Sequence, residues 1–229
     1  MSSEIQNTDT VLQMVRAGVL FGHKKTKTHP RMKPYIGGRR NEIEILDPEI
    51  TEKSLQAAAE FLRKTVQAGG LILCVGTRPA AKASLQSFAE ILKAPYVTFR
   101  WVGGILTNFK VIHQRSVYYQ ELKERYEKGE LSKYTKKEQL RFAKEVHKLS
   151  RIFDGLQLLT RLPDALFIID IEEHATAVRE ARRMHIPVVA LVDTNDNPQG
   201  IDYPIFANDH ARASIEWVIE ALKKRIEEV

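Results

Sequence analysis

Asp170, Asp193 and Asp196 each follow an apolar run of the kind that forms a parallel strand, with Asp202 and Asp209 close behind. Acids at strand ends are the usual material of magnesium sites, because a hard cation takes carboxylate oxygens. One chemistry open to the chain is therefore that of a Rossmann-like, magnesium-dependent phosphotransfer enzyme. The parts that should accompany it are missing. Gly76-Thr77-Arg78 ends a strand without the GxGxxG or GxxxxGK[ST] spacing that cradles phosphates, and Gly103-Gly104 completes neither pattern. No Gly-x-Ser-x-Gly elbow is present. Turn and cap roles account for the acids instead: residues 193–198 are rich in turn formers and Asp209 precedes a helical pattern.

The seven histidines never fall into an HxxxH or HExxH pattern. A metal needs residues brought together by the fold. If the segment around His23 closes over the strand ends, His23, Asp193 and Asp209 offer one nitrogen and two carboxylates, a set that zinc or magnesium accepts. The alternative for His23 is a hydrogen-bonded loop histidine. No cofactor is otherwise required.

A second chemistry is the binding of a polyanion. Residues 22–40 contain Lys24, Lys25, Lys27, Arg31, Lys33, Arg39 and Arg40 and no acid at all, within a chain of net charge +6. A merely solvated loop mixes signs, so an acid-free one points to phosphate contacts. Further along, Arg100 and Trp101 pair a planar fork of donors with a stacking plane, ahead of two glycines. Thr107 or Asn108 then stands where the following polar helix needs a cap. The plainer reading of this segment is a strand-to-helix turn with a half-buried tryptophan.

These residues need a frame, and 229 residues with 43% hydrophobic content can bury one full core. The only cysteine, Cys74, excludes an internal disulfide and sits in the apolar run 71–75, where it reads as core. Residues 1–9 are polar, and no run approaches the length of a membrane span, so a cytoplasmic protein is expected. Continuous apolar runs at 71–75, 165–169 and 188–192 predict parallel strands covered on both faces. Residues 42–46 alternate like a half-exposed strand; 96–98 and 203–205 predict shorter ones, the latter an edge because of Pro204. Helical patterns cover 51–67, 79–92, 172–184 and 209–226. Alternating strand and helix predicts a doubly wound α/β fold, Rossmann- or flavodoxin-like, with about five parallel strands.

Residues 108–159 interrupt this rhythm. Phe142, Val146, Leu149, Phe153 and Leu156 step by four and three, and Ile112, Tyr119, Leu122 and Tyr126 give a leakier match with Arg115 or Ser116 at the missing step. That spacing predicts an antiparallel coiled-coil hairpin with a basic face that includes Lys110, Lys136 and Lys137. The α/β domain is then discontinuous, 1–107 and 160–229.

The words of this sequence also follow those of a known family. Phe21-Gly22-His23, Pro30-Arg31-Met32-Lys33-Pro34-Tyr35-Ile36, Arg40-Asn41, Val75-Gly76-Thr77-Arg78 and the run 100–109 come in order, then 162–170, 186–195 and Asn208-Asp209. From about Val11 to about Leu222 the chain resembles the universal small-subunit ribosomal protein two family in its bacterial form. Thr28-His29 stands where that family usually has Trp-Asn, Leu20 where it has His, and Ala207 where it has Gly. The resemblance implies a structural, non-enzymatic protein without a small-molecule substrate. It would dock on small-subunit ribosomal RNA by both the α/β domain and the hairpin. Contacts to RNA would then come from the seven cations of residues 22–40, with Arg78, Arg100, Trp101, Asn108, Lys110, Lys136 and Lys137. The partners implied are neighbouring small-subunit proteins, among them the OB-repeat protein that captures messenger RNA.

Overall fold

The computed structural model describes residues 2–227. The chain opens with α1 (Ser2–Ala17), β1 (Phe21–Lys24), β2 (Ile36–Arg40), β3 (Ile43–Leu46) and α2 (Pro48–Gln67). It continues through β4 (Ile72–Val75), α3 (Pro79–Ile91) and β5 (Tyr96–Val97) to the helices α4 (Phe109–Glu127) and α5 (Lys136–Phe153). It ends with β6 (Ala165–Ile168), α6 (Ala175–Arg183), β7 (Val188–Val192), β8 (Tyr203–Phe206) and α7 (Arg212–Glu227).

Five strands form a parallel sheet in the order β5-β4-β6-β7-β8. Renumbered by their own succession this is 2-1-3-4-5, the flavodoxin-like order. Every residue of β4, β6 and β7 is buried, which is why these strands read as unbroken apolar runs. The Cys74 thiol lies in this layer, and burial pushes its pKa up to about 12. β8 pairs only with β7, so Pro204 sits on an edge as expected. α2 starts where the Asp47 carboxylate accepts from the N–H of Glu49 and Ile50, with Pro48 at its first position. It buries Leu55, Ala58, Ala59 and Leu62, one helical stripe, and α7 packs against both α2 and α3.

Three features differ from the sequence-based expectations. The alternating strand β3 belongs to a separate antiparallel sheet, β1-β3-β2, whose other members lie in segments too rich in glycine and cations to read as strands. The polar N-terminus forms α1. The charge-balanced run 223–228 that ends the last helix reads from sequence as a solvated helix end, yet Lys223 is buried and donates to Ser87 and Glu220, and Arg225 reaches Gln56 and Glu52.

In residues 108–159, α4 and α5 pack on each other and are joined through a turn at Glu130–Lys133. Gly129 takes φ +71 to begin that turn, and Thr135 with Glu138 forms a capping box on α5. α4 buries Ile112, Ser116, Tyr119 and Leu122, so Ser116 fills the missing step and Arg115 stays exposed. Tyr126 is exposed and lies outside the seam. α5 buries only Phe153, and Leu156 falls in a short turn beyond it. The structure supports a helix pair; the tighter description as a coiled coil rests on sequence spacing alone.

Candidate nucleic-acid interface

β1 runs into two short 3-10 turns, Lys25–Lys27 and Pro30–Tyr35. Their backbone is pinned to the carboxyl end of β7: the His23 N–H donates to Thr194 Oγ1 at 2.8 Å and the His29 N–H to the Thr194 carbonyl at 2.9 Å. The approach is close enough that a Cβ on Gly22 would collide with the Thr194 side chain. Met32 is fully buried and anchors the second turn. Thr28 bonds Glu44, and the His29 ring accepts from the Arg31 N–H at 3.2 Å, so the Thr28-His29 pair holds the loop where the family usually has a stacking group.

With the backbone held, the cations face outward. Lys24, Lys25, Lys27, Arg31, Lys33, Arg39 and Arg40 are all exposed. Arg39 lies 3.7 Å from Glu44, and Arg31 donates to Asn197 at 3.2 Å and also to Gln199. Among the described residues the other five have no acidic partner. Asn108, Lys110, Lys136 and Lys137 are exposed as well, and Asn108 stands at the N-cap of α4 without a side-chain cap bond.

Arg78 and Trp101 are placed differently from the expectation of outward contacts. The Arg78 guanidinium bonds the buried carboxylate of Asp170. Trp101 is half-buried against the core and donates its indole N–H to Glu180 Oε1 at 3.0 Å. Glu180 is the residue that sequence reasoning missed, an acid in α6 with nothing unusual in its neighbourhood. Its Oε1 also accepts from the Gly104 N–H at 2.8 Å. Its Oε2 accepts from the N–H groups of Leu106 and Thr107 and from Thr107 Oγ1, each within 3.1 Å. Gly104 adopts φ +97 in wrapping this carboxylate, which a side chain would strain. Burial works to raise the Glu180 pKa, but the donors of Gly104, Trp101, Thr107 and Leu106 outweigh it and hold the carboxyl below the usual range. The segment is a turn clasped on a carboxylate, with Arg100 left exposed at its start.

The strand-end acids gather beside the basic loop. Asp170, Asp193, Asp196 and Asp209 are all buried. One oxygen of each of the first three serves a turn: Asp170 accepts from the Glu173 N–H, Asp193 from Thr194 and Asp196 from the Asp193 N–H. Asp170 itself takes φ +70. Asp209 does not cap α7; the turn ahead of that helix is held by Asn208, whose Oδ1 accepts from the N–H of His210 and Ala211, each at 2.9 Å. Among the described residues, Asp193 Oδ2, Asp196 Oδ1 and Asp209 Oδ2 have no hydrogen-bond partner. Burial, then the charge of Asp209, pushes the Asp196 pKa up to about 8, and burial raises Asp209 too. His23 Nδ1 lies 3.2 Å from Asp193 Oδ2, and this contact raises the histidine's pKa; His210 is raised by its contact with Asp209. The loop thus does close over the strand ends. Among the described residues, the ligand-like group is His23, Asp193 and His210, whose donor atoms all lie within 4.8 Å of one another, with His210 rather than Asp209 in third place.

Known proteins share much of this sequence. The chain is 40% identical to the small ribosomal subunit protein uS2 of Coprothermobacter proteolyticus over 217 residues, 95% of this chain and 81% of that one. It is 41% identical to the protein of the same name from Thermus thermophilus over 210 residues, 92% of this chain and 82% of the relative. A third, from Dehalococcoides mccartyi, is 39% identical over 211 residues, 92% and 86% of the two chains. The family profile described as "Ribosomal protein S2" matches residues 14–229, nearly the whole α/β frame and helix pair, and the chain belongs to that family.

Proposed function

We propose that this protein is a structural constituent of the small ribosomal subunit that docks on ribosomal RNA through the acid-free loop 22–40, the exposed Arg100 and Asn108, and the basic face of α4 and α5. The observation that carries this reading is the loop's construction: its backbone is hydrogen-bonded to the sheet, while among the described residues all of its exposed cations but Arg39 lack an acidic partner. Preorganised cations with nothing to neutralise them are suited to a phosphate backbone. Members of the family are ribosome-associated, cytoplasmic and non-enzymatic, so the buried acids are not a catalytic centre. Neighbouring small-subunit proteins complete its surroundings, and the OB-repeat messenger-capturing protein is part of the proposal through the family resemblance. Hydroxyl-radical footprinting of small-subunit RNA, with and without the protein, tests the reading. Protected backbone riboses whose cleavage returns when Lys33 and Arg40 are replaced by Ala support it; a footprint indifferent to both would remove the loop from the interface.

The acid cluster supports a second, smaller proposal: that His23, Asp193 and His210, with Asp209 behind them, hold a zinc or magnesium ion that fixes the loop to the sheet. The Oδ2 atoms of Asp193 and Asp209, buried and without hydrogen-bond donors among the described residues, favour it, because a buried acceptor left unsatisfied is costly. The mixed nitrogen and oxygen donors suit zinc better than magnesium.

A further inference from the structure

Building on the RNA reading above, we propose that Phe99 is the floor of a nucleobase-stacking site. The two aromatic residues of the segment divide their work. Trp101 is turned inward and its N–H is taken by Glu180, whereas Phe99 is 39% exposed. A lone exposed phenylalanine needs no explanation, but this one is surrounded by charge. The Arg151 guanidinium carbon stands 3.9 Å from the ring centroid and Lys82 Nζ 6.0 Å from it. Arg100 follows directly in the chain. Among the described residues none of these three cations has an acidic partner.

Beside the ring lies a groove of about 290 Å³, lined chiefly by polar side chains, including Gln86, Thr98 and Ser150. Its one acid, Asp154, is engaged by the Tyr119 hydroxyl at 2.5 Å and by Lys123 at 3.1 Å. Such a volume is at the lower end of ligand sites and fits one planar heterocycle rather than a large ligand. The ring and guanidinium supply a stacking surface, the amide and hydroxyls meet a base edge, and Lys82 is placed for a flanking phosphate. A protein segment seeking an apolar anchor would find only Tyr96 and Ile152 beside the ring, in a groove whose lining is mainly polar. The groove joins the end of β5 to the end of α5, so a base held there ties the α/β frame and the helix pair to the same RNA strand.

The test uses the intact protein with a short oligoadenylate and its abasic ribose-phosphate counterpart, the Phe99→Leu and Phe99→Trp variants, and melting of each to confirm folding. Phe99→Leu should weaken oligoadenylate binding about five- to a hundredfold while leaving the abasic strand unaffected, and Phe99→Trp should retain binding. Ultraviolet irradiation of assembled small subunits should leave a nucleotide adduct on Phe99. Wild-type affinity of folded Phe99→Leu for oligoadenylate, or a cross-link from this position to protein, overturns the stacking site while the basic-loop reading stands. Failure of the unaltered protein to bind either strand overturns the stacking site, and failure to bind small-subunit RNA as well overturns both.

Discussion

Replacing Glu180 by Gln keeps the volume of the side chain and removes one acceptor oxygen. The five donors around it leave the amide no good orientation. With the NH₂ at the Oε1 position it faces the indole N–H of Trp101 and the Gly104 N–H; at the Oε2 position it faces the N–H groups of Leu106 and Thr107. The Thr107 hydroxyl can turn to accept, but two N–H donors lose their partner either way. At about 1–3 kcal/mol for each unsatisfied donor, the cost is about 2–6 kcal/mol. For a chain of this size that corresponds to a fall in Tm of about 4–24 °C. Thermal melting followed by circular dichroism reads it directly.

The pH dependence gives a second check on the same residue. The Glu180 carboxyl is depressed in the folded protein, so its contribution is fully present above the ordinary carboxylate range and is lost as pH falls through its lowered pKa. The gap between the protein and Glu180→Gln should therefore be widest near neutrality and close below about pH 4. A variant that melts within about 1 °C of the unaltered protein at pH 7, well short of the smallest shift expected, would refute the carboxylate as the anchor of residues 101–107.

Trp101→Phe keeps an aromatic ring but loses the indole donor and part of the bicyclic body, so it should cost at least about 1.5–3 kcal/mol in a melting experiment; an unchanged Tm would return the indole to the solvent side. Arg100→Ala should leave melting unaltered and weaken RNA association, measured side by side on one preparation; a large loss of stability with intact RNA binding would make Arg100 structural. Zinc added to the metal-free protein at about a hundred times its Kd should stabilise it by about 2.7 kcal/mol, read as a rise in Tm, and should do nothing to Asp193→Asn. An equal response in both proteins would place the ion elsewhere, and no response in either would dismiss the site.

The parallel sheet was legible because burial on both faces leaves only apolar residues in β4, β6 and β7, and nothing else in the chain competes with that pattern. The basic loop was legible from composition for a related reason, since five of its cations have no internal acid to mask them. The small antiparallel sheet was not, because β2 is Ile36-Gly37-Gly38-Arg39-Arg40, with most of it exposed and little apolar alternation to announce a strand. Glu180 was hidden for a different reason. A carboxylate in a helix normally faces water, and only the fold brings the 101–107 turn, more than seventy residues away in sequence, onto its oxygens. The same distance effect hid His210, which joins His23 and Asp193 only when β1 closes on the end of β7. Trp101 carried an ambiguous signal from the start: a tryptophan beside an arginine and two glycines serves equally as a presented ring or as part of a clasped turn, and its indole donor decides for the clasp.

The salt dependence of RNA affinity tests the central claim most directly. Each phosphate contact releases counterions, so removing three cations that touch phosphates lowers the log–log slope of affinity against salt by about two to three units. The variant carrying Lys24→Ala, Lys25→Ala and Lys27→Ala, confirmed as folded by its melting, should show that flatter slope together with weaker binding to small-subunit RNA. A folded variant with the slope and affinity of the unaltered protein would contradict the account, because these exposed, unpaired lysines would then have no phosphate to meet.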